Sequence, residues 1–145
     1  SIGCCDAHLK GFINVDIIPP CDQIADLNER WPWGDSTIEA IRACDILEHL
    51  RFPVHTMNEA WRVLVNGGEF DIDIPTTDGR GAWQDPGHVS FWNRNSFFYY
   101  EAGNAHLFRF SAATGARCAF KIVSSVERMI GDKVSKLHII LAAVK

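Results

Sequence analysis

The sequence has 145 residues, 47% of them hydrophobic and 22% charged, with a formal net charge of −4. That is the balance of an ordinary folded domain, long enough to bury roughly 70% of its unfolded surface, and not that of a disordered chain. It excludes a membrane-spanning helix, since no run approaches the ~20 apolar residues a span needs. A mildly acidic chain without a lysine-arginine block is also a poor generic binder of nucleic acid. The five cysteines are odd in number, two are adjacent, and all sit in apolar segments. This points to reduced thiols and a cytoplasmic protein rather than a disulfide scaffold. No secretory signal is expected; the first residue is not Met, which leaves a removed leader or a longer native chain open.

Along the chain, residues 1–3 read as the tail of a strand. Residues 12–17 alternate into a β-branched run that stops at Pro19-Pro20, a second strand. A shorter strand is expected at 23–27, then a loop over Trp31-Pro32-Trp33-Gly34-Asp35, a strand at 38–44 and a short helix from 46 to 50. Met57, Ala60, Trp61 and Leu64 fall at helical spacing and predict a helix over 54–65, with Asn66-Gly67-Gly68 as its left-handed stop. Residues 69–74 alternate, placing Phe70, Ile72 and Ile74 on one face and Glu69, Asp71 and Asp73 on the other. The acidic stripe reads as a solvated sheet face, with a cation site as the alternative. A long loop over 76–95 follows, then a helix at 95–101 ending near Gly103-Asn104, and two strands at 119–126 and 137–144 joined around Gly131-Asp132.

This is an α/β order. Only about a dozen residues or more can carry a helical crossover between parallel strands, and the connections before residues 12 and 23 are shorter than that. The front-half helices are therefore expected to be reduced to turns.

At this point the sequence resembles the class I, Rossmann-like S-adenosylmethionine-dependent methyltransferases, near the group called type 11. Ile2-Gly3-Cys4-Cys5 is similar to the family's glycine motif, and Phe12-Ile13-Asn14-Val15-Asp16 to the second strand with its ribose-binding acid. Ala25-Asp26-Leu27 before Trp31-Pro32-Trp33 resembles the third-strand acid and its loop. The run from Ile41 to Leu50, with Asp45 and Leu47-Glu48-His49, resembles the fourth-strand motif. Asn58-Glu59-Ala60-Trp61-Arg62-Val63-Leu64 with Gly67-Gly68 resembles the following helix and turn. The likeness covers 1–75 in order, and the last two strands fit the family's closing hairpin.

The resemblance implies a Rossmann-like, mostly parallel sheet with an antiparallel closing hairpin in one domain over 1–145. Residues 1–75 would be the cofactor half, 76–118 a loop and helix over the site, and 119–145 the closing strands. It implies S-adenosyl-L-methionine as cofactor, held by Gly3, Cys4 and Cys5 at the glycine turn, Asp16 on the ribose, and Asp26 and Leu27 on the adenine. Cys44 and Asp45 line the methionine end or simply finish a strand. Such chemistry follows from the residue types: a glycine turn presents N–H groups to a carboxylate, and a strand-end acid accepts from ribose hydroxyls. Cys5 departs from the family, which has glycine there.

His88 and Asp85, in the long loop, and His49 are the candidates for substrate contact or general base. Glu48 with His49 reads equally as a pair fixing local structure. Trp83, Phe91 and Trp92 form either an apolar substrate wall or a loop anchor. No metal site is expected, because Cys4, Cys5 and His8 lack a second ligand pair at zinc spacing. The implied activity is methyl transfer to a small-molecule or otherwise unidentified acceptor. Two readings compete with it: a degenerate scaffold that binds a partner or holds the cofactor only weakly, and a nicotinamide-dependent oxidoreductase.

Overall fold

The computed structural model describes residues 1–3 and 9–145, the Phe108 side chain excepted. Cys4, Cys5 and His8 therefore lie outside the described residues. The strands are β1 (Val15–Asp16), β2 (Gln23–Ile24), β3 (Ile38–Cys44), β4 (Leu64–Pro75), β5 (Phe120–Ile130) and β6 (Val134–Ala143). The helices are α1 (Pro53–Val63), α2 (Gly81–Gln84), α3 (Arg94–Phe98) and α4 (Ala105–Thr114), with a 3-10 turn at Leu47–His49.

β1 pairs in parallel with β2, and β3-β4-β6-β5 form a second ladder. Ile2 joins the two, bridging in parallel to Val15 on one side and to Ala43 on the other. The combined order is β2, β1, Ile2, β3, β4, β6, β5, parallel as far as β4 and antiparallel from there. This is the Rossmann-like sheet with a closing hairpin. The front strands are shorter than expected, two residues each, and residues 17–22 between them form bends and no helix. With so few residues in the connection, the chain turns back at once.

β6 alternates strictly between the two faces, and β4 does so from Gly68 to Ile72. Phe70, Ile72, Leu137, Ile139 and Leu141 are buried together with Ile41 and Ala43 of β3, beneath Met57, Ala60 and Val63 of α1. The opposite face carries Arg42, Asp71, Asp73, Lys136, His138 and Arg128. Arg42 and His138 both reach Asp71, at 2.7 and 2.8 Å. Arg128 sits 2.7 Å from Asp73, with Lys136 at 3.8 Å and Arg42 at 3.7 Å. The expected solvated acidic stripe is thus only partly solvated: Glu69 is exposed, but Asp73 is buried among three cations. A cross-strand lattice of opposite charges lets this face stand open to water.

α1 starts with Pro53 in its first turn, where a missing N–H costs nothing. It ends at Val63, and Leu64 turns straight into extended backbone. The expected glycine stop therefore does not cap the helix. Gly67, at φ +76°, lies inside β4 in an irregularity where Leu64 pairs with Ile38 but Glu69 with Ala40. The left-handed residue serves the bulge, not the helix end. The predicted 76–95 loop contains α2. α3 begins one residue early, capped by Asn93, whose side chain accepts from the Asn95 and Ser96 N–H groups.

α4 was not anticipated. Asn104, read as a helix stop, is its N-cap, accepting from His106 N at 2.9 Å, and Gly115 at φ +77° is the stop. No helix of the described residues is long and apolar enough to cross a membrane.

Candidate functional site

The carboxyl ends of the parallel strands lie side by side. Ala25 N donates to Asp16 O at 2.9 Å, so Asp26 follows the strand end next to Asp16. Gly3 N donates to Val15 O at 3.0 Å. Gly3 in turn lies against Ile46: it holds φ +63°, and a Cβ there would come within 2.4 Å of Ile46 Cβ. Only glycine fits this position on both counts.

Asp16 Oδ1 accepts from Ile17 N at 2.7 Å and Ile18 N at 3.3 Å, an acid folded over its own turn. Asp26 is exposed, and hydrogen bonds from the Asn28 backbone N–H and then its side chain hold the carboxyl below its usual range. Leu27 is 4% exposed and belongs to the core under Trp31, whose indole N–H donates to Leu27 O. Cys44 and Asp45 are exposed at the end of β3. Burial among its neighbours, and then the Asp45 carboxylate, push the Cys44 thiol up. Asp45 takes a left-handed φ of 49° and pairs with Lys136, a partner the sequence did not suggest.

Beyond Asp45 the 3-10 turn presents Glu48 and His49, and the loop after β4 folds down on it. Val89 N and Ser90 N donate to Glu48 O at 2.8 and 3.0 Å, and Ser90 Oγ donates to Leu47 O at 2.8 Å. This clamp brings His88, Asp85 and His49 together, and adds Glu48. The rings of His49 and His88 meet edge to face at 4.9 Å. His88 Nε2 stands 3.9 Å from Glu48 Oε1 and 3.8 Å from Asp85 Oδ2. Each imidazole is fixed from behind: His88 Nδ1 is 2.9 Å from Ala82 O, and His49 Nδ1 is 3.1 Å from Gly87 O. A carbonyl oxygen only accepts, so both Nδ1 atoms carry a proton, and in the neutral form of each ring Nε2 is the atom with the lone pair.

Glu48 is 2% exposed, and its Oε2 has no hydrogen-bond partner among the described residues. Burial, reinforced by Asp45, pushes its carboxyl up to about 7. It is therefore poised to gain or lose a proton near neutrality. The Leu47-Glu48-His49 run alone does not signal this; the burial of Glu48 and the return of His88 to it do.

The aromatic residues divide. Trp83 and Phe91 stack at 4.5 Å and are largely exposed, while Trp92 is buried on Phe97 and anchors the loop through its indole N–H to Ser90 Oγ. Beside them is a hollow of about 200 Å³ lined by Pro53, Phe91, Trp92, Tyr99, Tyr100 and Phe110, among others. A second hollow, of about 470 Å³, runs along the amino-terminal half of β3 with Phe12, Ile13 and Trp33. Neither is lined by Gly3, Asp16 or Asp26.

No family model matches the sequence, and no curated protein matches it. Solved structures do. An S-adenosylmethionine-dependent methyltransferase from Archaeoglobus fulgidus is 13% identical with a TM-score of 0.62, over 97% of this chain and 83% of that one. The 1,6-didemethyltoxoflavin-N1-methyltransferase of Burkholderia thailandensis, with bound 1,6-didemethyltoxoflavin and S-adenosylhomocysteine, is 13% identical with a TM-score of 0.59. That match covers 91% of this chain and 60% of that one. The cyclase SpnF is 14% identical with a TM-score of 0.56, over 85% of this chain and 56% of that one. Identities this low speak for architecture and not for chemistry. The chain has the Rossmann-like fold of the class I S-adenosylmethionine-dependent methyltransferases.

Proposed function

We propose that the chain binds S-adenosyl-L-methionine along the carboxyl edge of the sheet and transfers its methyl group to an acceptor held under the 85–92 loop. The observation that carries this reading is the succession of Asp26, Asp16, Gly3 and Asp45 on adjacent strand ends, where open α/β sheets take their ligands. The residues suit the group: an exposed, readily ionised Asp26 and the neighbouring Asp16 offer carboxylate acceptors to adenine and ribose. Cys44 and Asp45, exposed at the end of β3, would meet the methionine end. Leu27, packed in the core, would support the adenine side from beneath rather than face it.

Bound S-adenosylmethionine supplies an electrophilic methyl group on a sulfonium that is already a good leaving group. Much of the remaining work is alignment of nucleophile, methyl and sulfur. The chain's residues handle the acceptor. His88 Nε2, the lone-pair atom of the neutral ring when Nδ1 donates to Ala82 O, takes the acceptor's proton where the nucleophile carries one. Glu48 and Asp85 flank that nitrogen and stabilise the imidazolium. His49 buttresses the ring, and Trp83 with Phe91 offers an exposed apolar wall for the acceptor.

Calorimetric titration with S-adenosylmethionine and S-adenosylhomocysteine, with NADH in parallel, tests the reading. Saturable heat is expected with the first two only. Asp16→Ala should weaken binding by roughly 1–3 kcal/mol, about 5- to 150-fold, as loss of charged hydrogen bonds does. Absence of heat at millimolar ligand would support a non-catalytic scaffold instead, and heat with NADH alone an oxidoreductase.

A further inference from the structure

We infer that Glu48, His49 and His88 form a site for a divalent transition metal ion of the zinc class, with a coordination position left for an external oxygen. One ligating atom from each residue lies within 4.8 Å of the others. The three come from two separate segments, the 3-10 turn and the loop clamped onto it, so the site exists only in the folded chain.

Two observations point to a cation rather than to a chance cluster. Both imidazoles are held by Nδ1–H donation to a backbone carbonyl, at 2.9 and 3.1 Å. This is the outer support that fixes the tautomer and aim of metal-binding histidines. Glu48, moreover, is 2% exposed with Oε2 unpartnered among the described residues. A buried carboxylate oxygen left without a partner is costly, and a bound cation removes that cost.

The donor set selects the ion. Two imidazoles and one carboxylate suit zinc and its transition-metal neighbours, whereas magnesium and calcium prefer oxygen alone. Three protein ligands with an open position is the pattern of a reactive rather than a purely structural zinc site. Ligand atoms about 2.1 Å from a tetrahedral ion sit about 3.4 Å apart. The 3.9 Å between His88 Nε2 and Glu48 Oε1 must therefore close by about half an ångström. Asp85 Oδ2, 3.8 Å from the same nitrogen on the exposed side, is placed to take a proton from an oxygen bound there. If the methyl-transfer reading also holds, an acceptor hydroxyl on the open position would lose its proton more readily, with Asp85 rather than His88 receiving it.

The test uses the full chain, stripped with chelator and free of any nucleoside. Zinc chloride is titrated by calorimetry, and cobalt chloride by visible absorption. One ion per chain with micromolar or tighter affinity is expected, and a cobalt spectrum with the intense bands of low coordination and no thiolate charge transfer. His88→Ala and Glu48→Gln, checked for native circular dichroism, should each weaken binding at least 30-fold. The second variant keeps the shape of the side chain and guards against loss through misfolding. Cys44→Ser should bind as the parent does. No stoichiometric binding, thiolate bands, or affinity unchanged in both variants would each overturn the assignment. Since neither ion nor nucleoside is needed for the other's titration, failure here leaves the cofactor reading to stand or fall separately.

Discussion

Gly3 and Gly67 both hold left-handed backbone, at φ +63° and +76°, yet they answer to different constraints. A Cβ on Gly67 would meet nothing within 4 Å, while one on Gly3 would run into Ile46. Gly67→Ala is therefore expected to cost only about 1 kcal/mol, the backbone penalty alone. Gly3→Ala should cost about 2–5 kcal/mol, because overpacking adds to that penalty. Urea unfolding of the two variants reads the difference; equal losses would mean that Ile46 does not close the turn. At this scale Gly3, Asp16 and Asp26 could be chosen from the sequence because each stands in a short run of recognisable chemistry. Glu48 could not be given its role the same way. What makes it unusual is its burial and its nearness to His88, and both depend on a fold-back that local sequence does not encode.

Among the elements, α1 is tied to the loop before β3 by one node. Arg62 donates to Glu59 at 2.6 Å, to Asp35 at 2.7 Å and to the Trp31 and Trp33 carbonyls, while Glu59 accepts from Trp31 N at 2.8 Å. The Arg62 guanidinium, then the Trp31 N–H, hold the Glu59 carboxyl below its usual range. Across the acid range below that ordinary value the unfolded chain binds more protons than the native one, so this node's stability is present above it and lost as pH falls. Glu59→Gln should cost about 1–3 kcal/mol at neutral pH, as loss of charged hydrogen bonds in a part-buried pair does, and should flatten the acid side of the stability profile. Denaturant midpoints from pH 3 to 7 measure both; a parallel profile in the variant would contradict it. α1 itself was legible because Met57, Ala60 and Leu64 repeat at helical spacing. α4 was not: its apolar residues give little one-sided pattern, and Asn104 serves equally as a stop for one helix or a cap for the next. The misplaced glycine stop has a similar origin. Sequence shows that a left-handed residue is needed, not whether a helix end or a strand bulge needs it.

For the whole molecule, the mostly parallel sheet with its antiparallel closing hairpin was the most legible feature, since a βαβ spacing over 38–74 and a closing pair leave few sheet arrangements. The open charged face was less so, because the alternating acids of β4 reveal a second face without revealing that Arg42, Arg128, Lys136 and His138 gather on it from three other strands. The sheet sets Asp16, Asp26, Gly3 and Asp45 along its carboxyl edge, and the 85–92 loop closes over one end of that edge through its bonds to Leu47 and Glu48. An adenosyl ligand is therefore expected on this edge and not in the apolar hollow beside Phe12, Ile13 and Trp33. A crystal structure grown with S-adenosylhomocysteine distinguishes the two places. Density for the nucleoside between Asp16 and Asp26, with its amino-acid end toward Gly3 and Asp45, is the expected result; density in the Phe12–Trp33 hollow, or none at saturating ligand, would contradict it.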